Sequence, residues 1–235
     1  MAYNVIDGLL YTGSHDKTVK AWKITDRKCV DSFLAHADTI NAMEINDKGY
    51  LFTCSSDGTL KMWSKVSGEN LHTLTMTLHF NPFPINTLAL TNSTSNEDGF
   101  LYGGASDGGI YYWEQQITGE YIRRGCMKGH QFAVASVAAV ADLVVSGGVD
   151  TTVRIWRRKK RWCYECVGVL EGHNGPVKCV KVCLEEESFV KGFLVFSGGL
   201  DKCFKVWRVR VLGDASHDAD HLSDSASNVN DGEDD

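Results

Sequence analysis

No stretch of this 235-residue sequence is apolar for anything near the roughly 18 residues that a membrane-spanning helix requires. The opening residues, MAYNVIDGLLYTGSHDK, lack a basic region followed by a long apolar segment, so they do not read as a signal peptide. The chain is therefore expected in the cytoplasm or nucleus, and no membrane partner is expected. An excess of basic charge is missing too: 24 Lys and Arg stand against 30 Asp and Glu. Nothing global points to nucleic acid. The glycine-rich stretch GGASDGG (Gly103–Gly109) lacks the G-x-x-x-x-G-K-[ST] pattern, and no helix-like segment follows it, so it reads as a hairpin and not a phosphate loop.

What is present begins with an uneven charge. The net charge of −6 comes from the end of the chain: residues 213–235 hold eight acids and no Lys or Arg, which leaves 22 acids against 24 bases elsewhere. Residues 212–235 are rich in Ser, Asp and Asn, bury too little apolar surface to order themselves, and are expected to be a disordered acidic tail. Residues 1–211 are long enough for one large domain with its own core. Eight cysteines would suit a disulfide framework only in a short secreted chain. Most of them (Cys29, Cys54, Cys126, Cys166, Cys179, Cys183, Cys203) sit in apolar, strand-like segments and read as buried free thiols.

The dominant signal is an internal repeat. TGSHDKTVKAW ends at Trp22, TCSSDGTLKMW at Trp63, GGASDGGIYYW at Trp113, SGGVDTTVRIW at Trp156 and SGGLDKCFKVW at Trp207. An Asp (Asp16, Asp57, Asp107, Asp150, Asp201) stands six residues before each Trp, and a small residue (Thr12, Thr53, Gly103, Ser146, Ser197) four before each Asp. After the Asp the residues alternate: Val153 and Ile155 on one face, Arg154 and Trp156 on the other. This is strand periodicity. Asp followed by Gly, Thr or Lys is hairpin-turn chemistry. An apolar strand precedes each hairpin (INAMEI, INTLAL, VASVAAV, VKCVKV) and another follows it (CVDSFLA, NLHTLTM, YIRRGCM, ECVGVLE). Four strands per unit of about 40–45 residues is the period of a β-propeller blade. The expected fold is all-β, with about five four-stranded blades.

These motifs, with Ala35–His36, Gly129–His130 and Gly172–His173, resemble the WD40-repeat β-propeller family over residues 1–211. The stretches CVDSFLAHADTINAMEIND, LFTCSSDGTLKMW, LTMTLHFNPFPINTLAL and VLEGHNGPVKCVKVCLE give a narrower resemblance to plant JINGUBANG-like WD-repeat proteins. The resemblance implies a propeller of about seven blades, so the chain is expected to be five-sevenths of a larger propeller or a shortened gene product. The first unit is expected to be clipped at its innermost strand and the last to stop after its third strand. A strained five-blade ring or an open arc would follow, with self-association through unpaired blade edges.

The resemblance also implies a structural network in each blade: a His from the loop before the innermost strand, a Ser or Thr on the second strand, an Asp in the hairpin turn and a Trp on the third strand. Three blades carry a full set: His36/Thr53/Asp57/Trp63, His130/Ser146/Asp150/Trp156 and His173/Ser197/Asp201/Trp207. The same residue types could form a hydrolytic triad, but a nucleophile has no use for five copies. The first unit has Thr12, Asp16 and Trp22 without a His. The third departs most: Gly103 replaces the hydroxyl, His79 is out of register, and Tyr111 replaces the Lys or Arg found two residues before Trp elsewhere. Blade three is expected to be the weakest, or reshaped for a partner.

Three further features stand outside the repeat. RRKKRW (Arg157–Trp162), whose basic run is Arg157–Arg161, is read as a loop between the third and fourth strands of blade four. It is either a solvated turn, attracted to LEEES (Leu184–Ser188), or a nuclear-import or anion-binding patch. Trp162 is either an exposed anchor or a cover for the blade edge. CYEC (Cys163–Cys166) and CVKVC (Cys179–Cys183) mimic zinc spacing, but Cys166 falls on an outermost strand and Cys179 on the next blade's innermost strand, so no metal and no cofactor is expected. The expected function is a non-enzymatic scaffold for protein–protein interaction in a regulatory or signalling complex. The alternative is a substrate-targeting module of a kinase or ubiquitin ligase. The candidate partner surface is the face of the Asp turns, with His15, Ser56, Ser106, Val149 and Leu200 from the turns and Phe83, Phe132 and Asn174 from the loops.

Overall fold

The computed structural model describes residues 1–78, 83–91, 99–160, 162–185 and 192–210. Among these residues every regular element is a β-strand, and there are nineteen. Blade one is β1 (Ala2–Asn4), β2 (Leu9–Gly13), β3 (Thr18–Lys23) and β4 (Lys28–Leu34). Blade two is β5 (Ile40–Ile45), β6 (Leu51–Ser55), β7 (Leu60–Lys65) and β8 (His72–Leu78). Blade three is β9 (Ile85–Thr91), β10 (Phe100–Ala105), β11 (Gly109–Gln115) and β12 (Tyr121–Lys128). Blade four is β13 (Val134–Val140), β14 (Leu143–Gly148), β15 (Val153–Lys160) and β16 (Cys163–Leu170). Blade five is β17 (Val177–Glu185), β18 (Gly192–Gly199) and β19 (Phe204–Arg210). Each blade is an antiparallel meander in chain order, four-stranded in blades one to four and three-stranded in blade five.

The hairpins form where the Asp turns predict them. The residue after each Asp has positive φ: Lys17 (73°), Gly58 (77°), Gly108 (82°), Thr151 (68°) and Lys202 (63°). Gly108 has a second reason to be glycine, because a Cβ there would stand 2.5 Å from the backbone oxygen of His130. The alternation after the Asp divides the third strand between two neighbours. Val153 and Ile155 face blade five, whereas Trp156 packs among residues of blade three.

Four apolar clusters fill the four junctions between consecutive blades, and among the described residues no cluster joins blade five to blade one. The positions that face the following blade make the consequence plain. Val19, Leu60, Ile110 and Val153 are each 0% exposed, but their counterpart Phe204 is 70% exposed. Val206 is 54% exposed where Ile155 is 2%. Among the described residues the five blades are therefore an arc with an uncovered flank, not a closed ring. Polar contacts reinforce the inner rim: Asn41 Nδ2 donates to the Ile85 carbonyl (2.8 Å) and Asn86 Nδ2 to the Val134 carbonyl (3.0 Å). Each Asn thus reaches the next blade's copy of the residue that precedes it.

Two expectations need correction. Arg157–Lys160 are not a loop: β15 runs on to Lys160, because Arg157 pairs across to Glu165 and Arg158 to Tyr164. Arg158 lies over the Phe100 ring (4.8 Å) and Arg157 bonds Asp142 (3.2 Å), so strand pairing and neighbours hold these cations. Nor are the cysteines generally buried. Cys54 is, whereas Cys29, Cys179, Cys183 and Cys203 are exposed, and Cys126 and Cys166 lie between. Several of the exposed ones sit on blade five, which no further blade covers among the described residues. Trp162 is 45% exposed and is tied to blade three: Arg124 lies over its ring (4.4 Å) and its carbonyl accepts from the Tyr112 hydroxyl (2.7 Å). His79, Arg161, most of Leu184–Ser188 and the acidic tail lie outside the described residues.

Candidate functional site

The three full sets assemble as hydrogen-bond chains. In blade two, Trp63 Nε1–H donates to Thr53 Oγ1 (2.9 Å), Thr53 Oγ1 meets His36 Nε2 (2.7 Å), and His36 Nδ1 meets Asp57 Oδ2 (3.0 Å). Blade four repeats this through Trp156, Ser146, His130 and Asp150 (2.9, 2.7 and 2.9 Å). Blade five repeats it through Trp207, Ser197, His173 and Asp201 (each 2.8 Å). The carboxylate can only accept, so Nδ1 carries the proton; the neutral ring then accepts from the hydroxyl at Nε2. Each Asp also caps the loop after its His, accepting from the backbone N–H of Ala37 (2.9 Å), Gln131 (3.0 Å) or Asn174 (3.0 Å).

Electrostatics match this assignment. Burial pulls the His36 and His130 imidazoles below their usual range, against the pull of Asp57 and Asp150. Burial would raise the Asp57 carboxyl, but hydrogen bonds from Thr59 and from Ala37, with His36 beside it, outweigh burial and hold it at about 2. A neutral His beside an ionised Asp would suit structure and catalysis alike, so access to the hydroxyl decides. The hydroxyl that would act as nucleophile is 0% exposed in both Thr53 and Ser146.

Blade three solves the same problem with different residues. The Tyr111 hydroxyl donates to Asp107, taking the place of an imidazole. Gly103 gives up the hydroxyl, and Ile85 and Trp113 close around it: a Cβ would meet them at 3.3 and 3.4 Å. Blade one keeps Trp22 Nε1–H to Thr12 (2.9 Å), and its Asp16 accepts from the Thr18 hydroxyl and amide.

One unrepeated polar cluster escaped the sequence. Tyr11 of β2 meets His72 Nε2 of β8 (2.8 Å), and His72 Nδ1 and its backbone N–H both bond Asp31 Oδ2 of β4 (2.8 and 2.9 Å). Phe33 stacks on the imidazole at 5.5 Å, and Tyr11 is 1% exposed. Nothing repeats to flag it, since its members come from three strands. Sealed on all sides, it latches blade one to blade two and offers no room to a substrate. A separate cleft of about 210 Å³, lined by Asn4, Asp7, Lys48, Tyr50, Ser64 and Lys65 among others, is smaller than the ~300 Å³ at which ligand pockets begin. Among the described residues no three His, Cys, Asp or Glu side chains are placed to hold a metal ion.

The Asp turns and the loops before the innermost strands share one face, clasped by a repeated backbone bond. Ser56, Ser106, Val149 and Leu200 each donate an N–H to a loop carbonyl, of Thr39, Pro84, Ala133 and Pro176 respectively (2.9–3.0 Å). Phe83 (45%), Phe132 (59%), Val149 (36%) and Leu200 (63%) stand exposed on this face. His15 and Asn174 are exposed as well, while Ser56 and Ser106 are half-buried and turn their hydroxyls to Asn41 and Asn86. The structure thus leaves six of the eight candidate residues open and uses two to join strands.

Comparison with known proteins accords with this geometry. The family model "WD domain, G-beta repeat" matches residues 27–64, 121–157 and 164–208. The chain is 25% identical over 205 residues to WD repeat-containing protein pop1 of Schizosaccharomyces pombe, covering 77% of this chain and 22% of that protein. It is 25% identical over 201 residues to the ribosome biogenesis protein WDR12 homolog of Nematostella vectensis, covering 72% and 46%. Over 242 residues it is 25% identical to the nuclear distribution protein PAC1 of Candida glabrata, covering 86% and 50%. The chain spans between about a fifth and a half of the length of these relatives. With half of its residues matched repeat by repeat, the protein belongs to the WD40 family of G-beta repeat proteins.

Proposed function

We propose that the protein is a non-catalytic scaffold that binds other proteins through the face of its Asp turns. One observation carries this reading: Phe83, Phe132, Val149 and Leu200 are held exposed on loops that backbone bonds fix in place. Rigid apolar anchors on a preformed face bind with a reduced ordering cost. The buried His, Ser/Thr and Asp groups are consumed by structure, which leaves no accessible nucleophile–base pair among them. We place the scaffold in a regulatory or signalling complex in the cytoplasm or nucleus. The WDR12 homolog, named for ribosome biogenesis, is compatible with the nuclear setting. The narrower likeness to plant JINGUBANG-like proteins is part of the same proposal and rests on the four stretches quoted above.

A second reading, a substrate-targeting module joined to a kinase or ubiquitin ligase domain, is favoured by one fact. The relatives extend far beyond the matched region, as pop1 does with 22% covered. The first test is affinity purification with the full chain and with Phe132→Ser/Leu200→Ser. The double variant should lose the same specific partner that the parent retains, with an unchanged melting temperature. Retention of that partner by the variant would overturn the assignment of this face.

A further inference from the structure

Blades one to four close with a fourth strand, and among the described residues blade five does not. β19 pairs through one edge with β18, from Gly198↔Phe204 to Gly192↔Arg210. Its other edge presents seven residues of backbone, the length of β4 and of β8. Such an edge is a template for one more strand.

The other blades show what this edge accepts. All four third strands take an antiparallel strand, and in all four the register slips just before the tryptophan: at Ala21/Trp22, Met62/Trp63, Tyr112/Trp113 and Ile155/Trp156. The residue after the tryptophan then meets a complement on the fourth strand or its turn. Glu114 pairs with Arg124 (2.6 Å), Lys23 with Asp26 (3.2 Å), and Ser64 accepts from the Thr75 hydroxyl (2.9 Å). Arg157 lies opposite Glu165. On β19 that residue is Arg208, and Arg210 follows on the same face. Arg208 reaches Glu185 (2.7 Å) yet keeps 58% of its side chain exposed, and Arg210 is exposed too. Phe204 and Val206 lie uncovered on that face.

We propose that the free edge of β19 docks one extended strand of a partner protein, antiparallel to Phe204–Arg210, with acidic residues against Arg208 and Arg210 and apolar residues beside Val206 and Phe204. Residues 213–235 of this chain are acidic but hold only Leu222 and Val229 as large apolar residues, fewer than any of the fourth strands β4, β8, β12 and β16. They supply the charge without the packing. The proposal is independent of the Asp-turn face, which lies at the ends of the strands and not along this edge.

The test uses the full chain and a fluorescent peptide copying residues 163–171, the fourth strand of blade four, with Ser in place of both Cys. A matching peptide carries Lys for both Glu. Two more carry N-methyl groups on alternate residues, one on odd and one on even positions. Fluorescence anisotropy should show saturable binding of the parent peptide and binding about tenfold weaker for the Lys peptide, equal to about 1.4 kcal/mol. An edge strand turns only alternate amides toward its neighbour, so one methylated peptide should bind as the parent does and the other should fail. Arg208→Glu/Arg210→Glu should reverse the charge preference. No saturable binding, or equal loss with both methylated peptides, would overturn the proposal. So would binding seen only when the chain stops after Arg210, which would make its own acidic residues the occupant. A dimer that the peptide dissolves would likewise assign the edge to a second copy.

Discussion

Asp150 accepts hydrogen bonds from three neighbours: His130, the Gln131 amide, and both the amide and hydroxyl of Thr152. Asp57 and Asp201 hold equivalent places, so the turns of three blades rest on carboxylates that must stay ionised, and in blades two and four these stand beside imidazoles that must stay neutral. Both demands fail in acid. The His36 and His130 imidazoles titrate lower in the fold than in the unfolded chain. As pH falls through about 6.5 the unfolded chain takes up their protons first, and stability declines. Asp57, Asp150 and Asp201 are also held down in the fold. Below about pH 4 the unfolded carboxyls protonate first, and a second decline follows. Melting temperature should therefore be level near neutrality and fall in two stages, starting near pH 6.5. Asp150→Ala should lower it by a few degrees at pH 7, since buried donors left without an acceptor cost about 1–3 kcal/mol each. Its deficit should hold down to about pH 4 and shrink only below it in a series of thermal scans. A deficit that stayed constant below about pH 4 would refute the ionised role. The network was legible in the sequence because five copies place like residues at like spacings. The Tyr11–His72–Asp31 latch was not, because it occurs once and its members meet only after blades one and two pack.

At the scale of the element, the hairpin is the unit the sequence states most clearly. An Asp, a residue with positive φ and an alternating strand ending in Trp recur five times, and all five form as read. Strand ends were harder to read. Arg157–Lys160 look like a solvated run by composition, yet β15 continues through them because β16 supplies Glu165 and Tyr164 opposite. Pairing, not local polarity, decides where a strand stops. Blade three shows the same limit from the other side. Gly103 and Tyr111 were visible as departures from the repeat, but that one compensates for what the blade lacks depends on the reach of a phenol to Asp107, which no spacing reveals. Tyr111→Phe should remove that contact and cost about 0.5–1.5 kcal/mol, less than Asp150→Ala, because Asp107 keeps the Gly109 amide at 3.0 Å. Hydrogen exchange should rise in blade three alone; a uniform rise across blades would mean that Tyr111 anchors the whole arc.

Across the whole molecule, stability is built junction by junction, as in repeat proteins where each unit contacts its neighbours. Every blade presents one half of an interface to the blade before it and the other half to the blade after. Among the described residues nothing supplies the second half of that interface to blade five, and its exposure shows this. Val153 and Val206 lie on equivalent faces of their third strands, the first 0% and the second 54% exposed. Val153→Ala opens a cavity at the junction of blades four and five and should cost about 2 kcal/mol. Val206→Ala removes the same atoms from a surface facing solvent and should change stability by less than about 0.5 kcal/mol. Chemical denaturation of the two variants measures the difference, and repeating it over a range of protein concentrations separates the monomer from any assembly. If Val206→Ala cost as much as Val153→Ala, and the cost grew with concentration, the flank would be covered in solution by another copy of the chain, and the arc would be one part of a larger assembly.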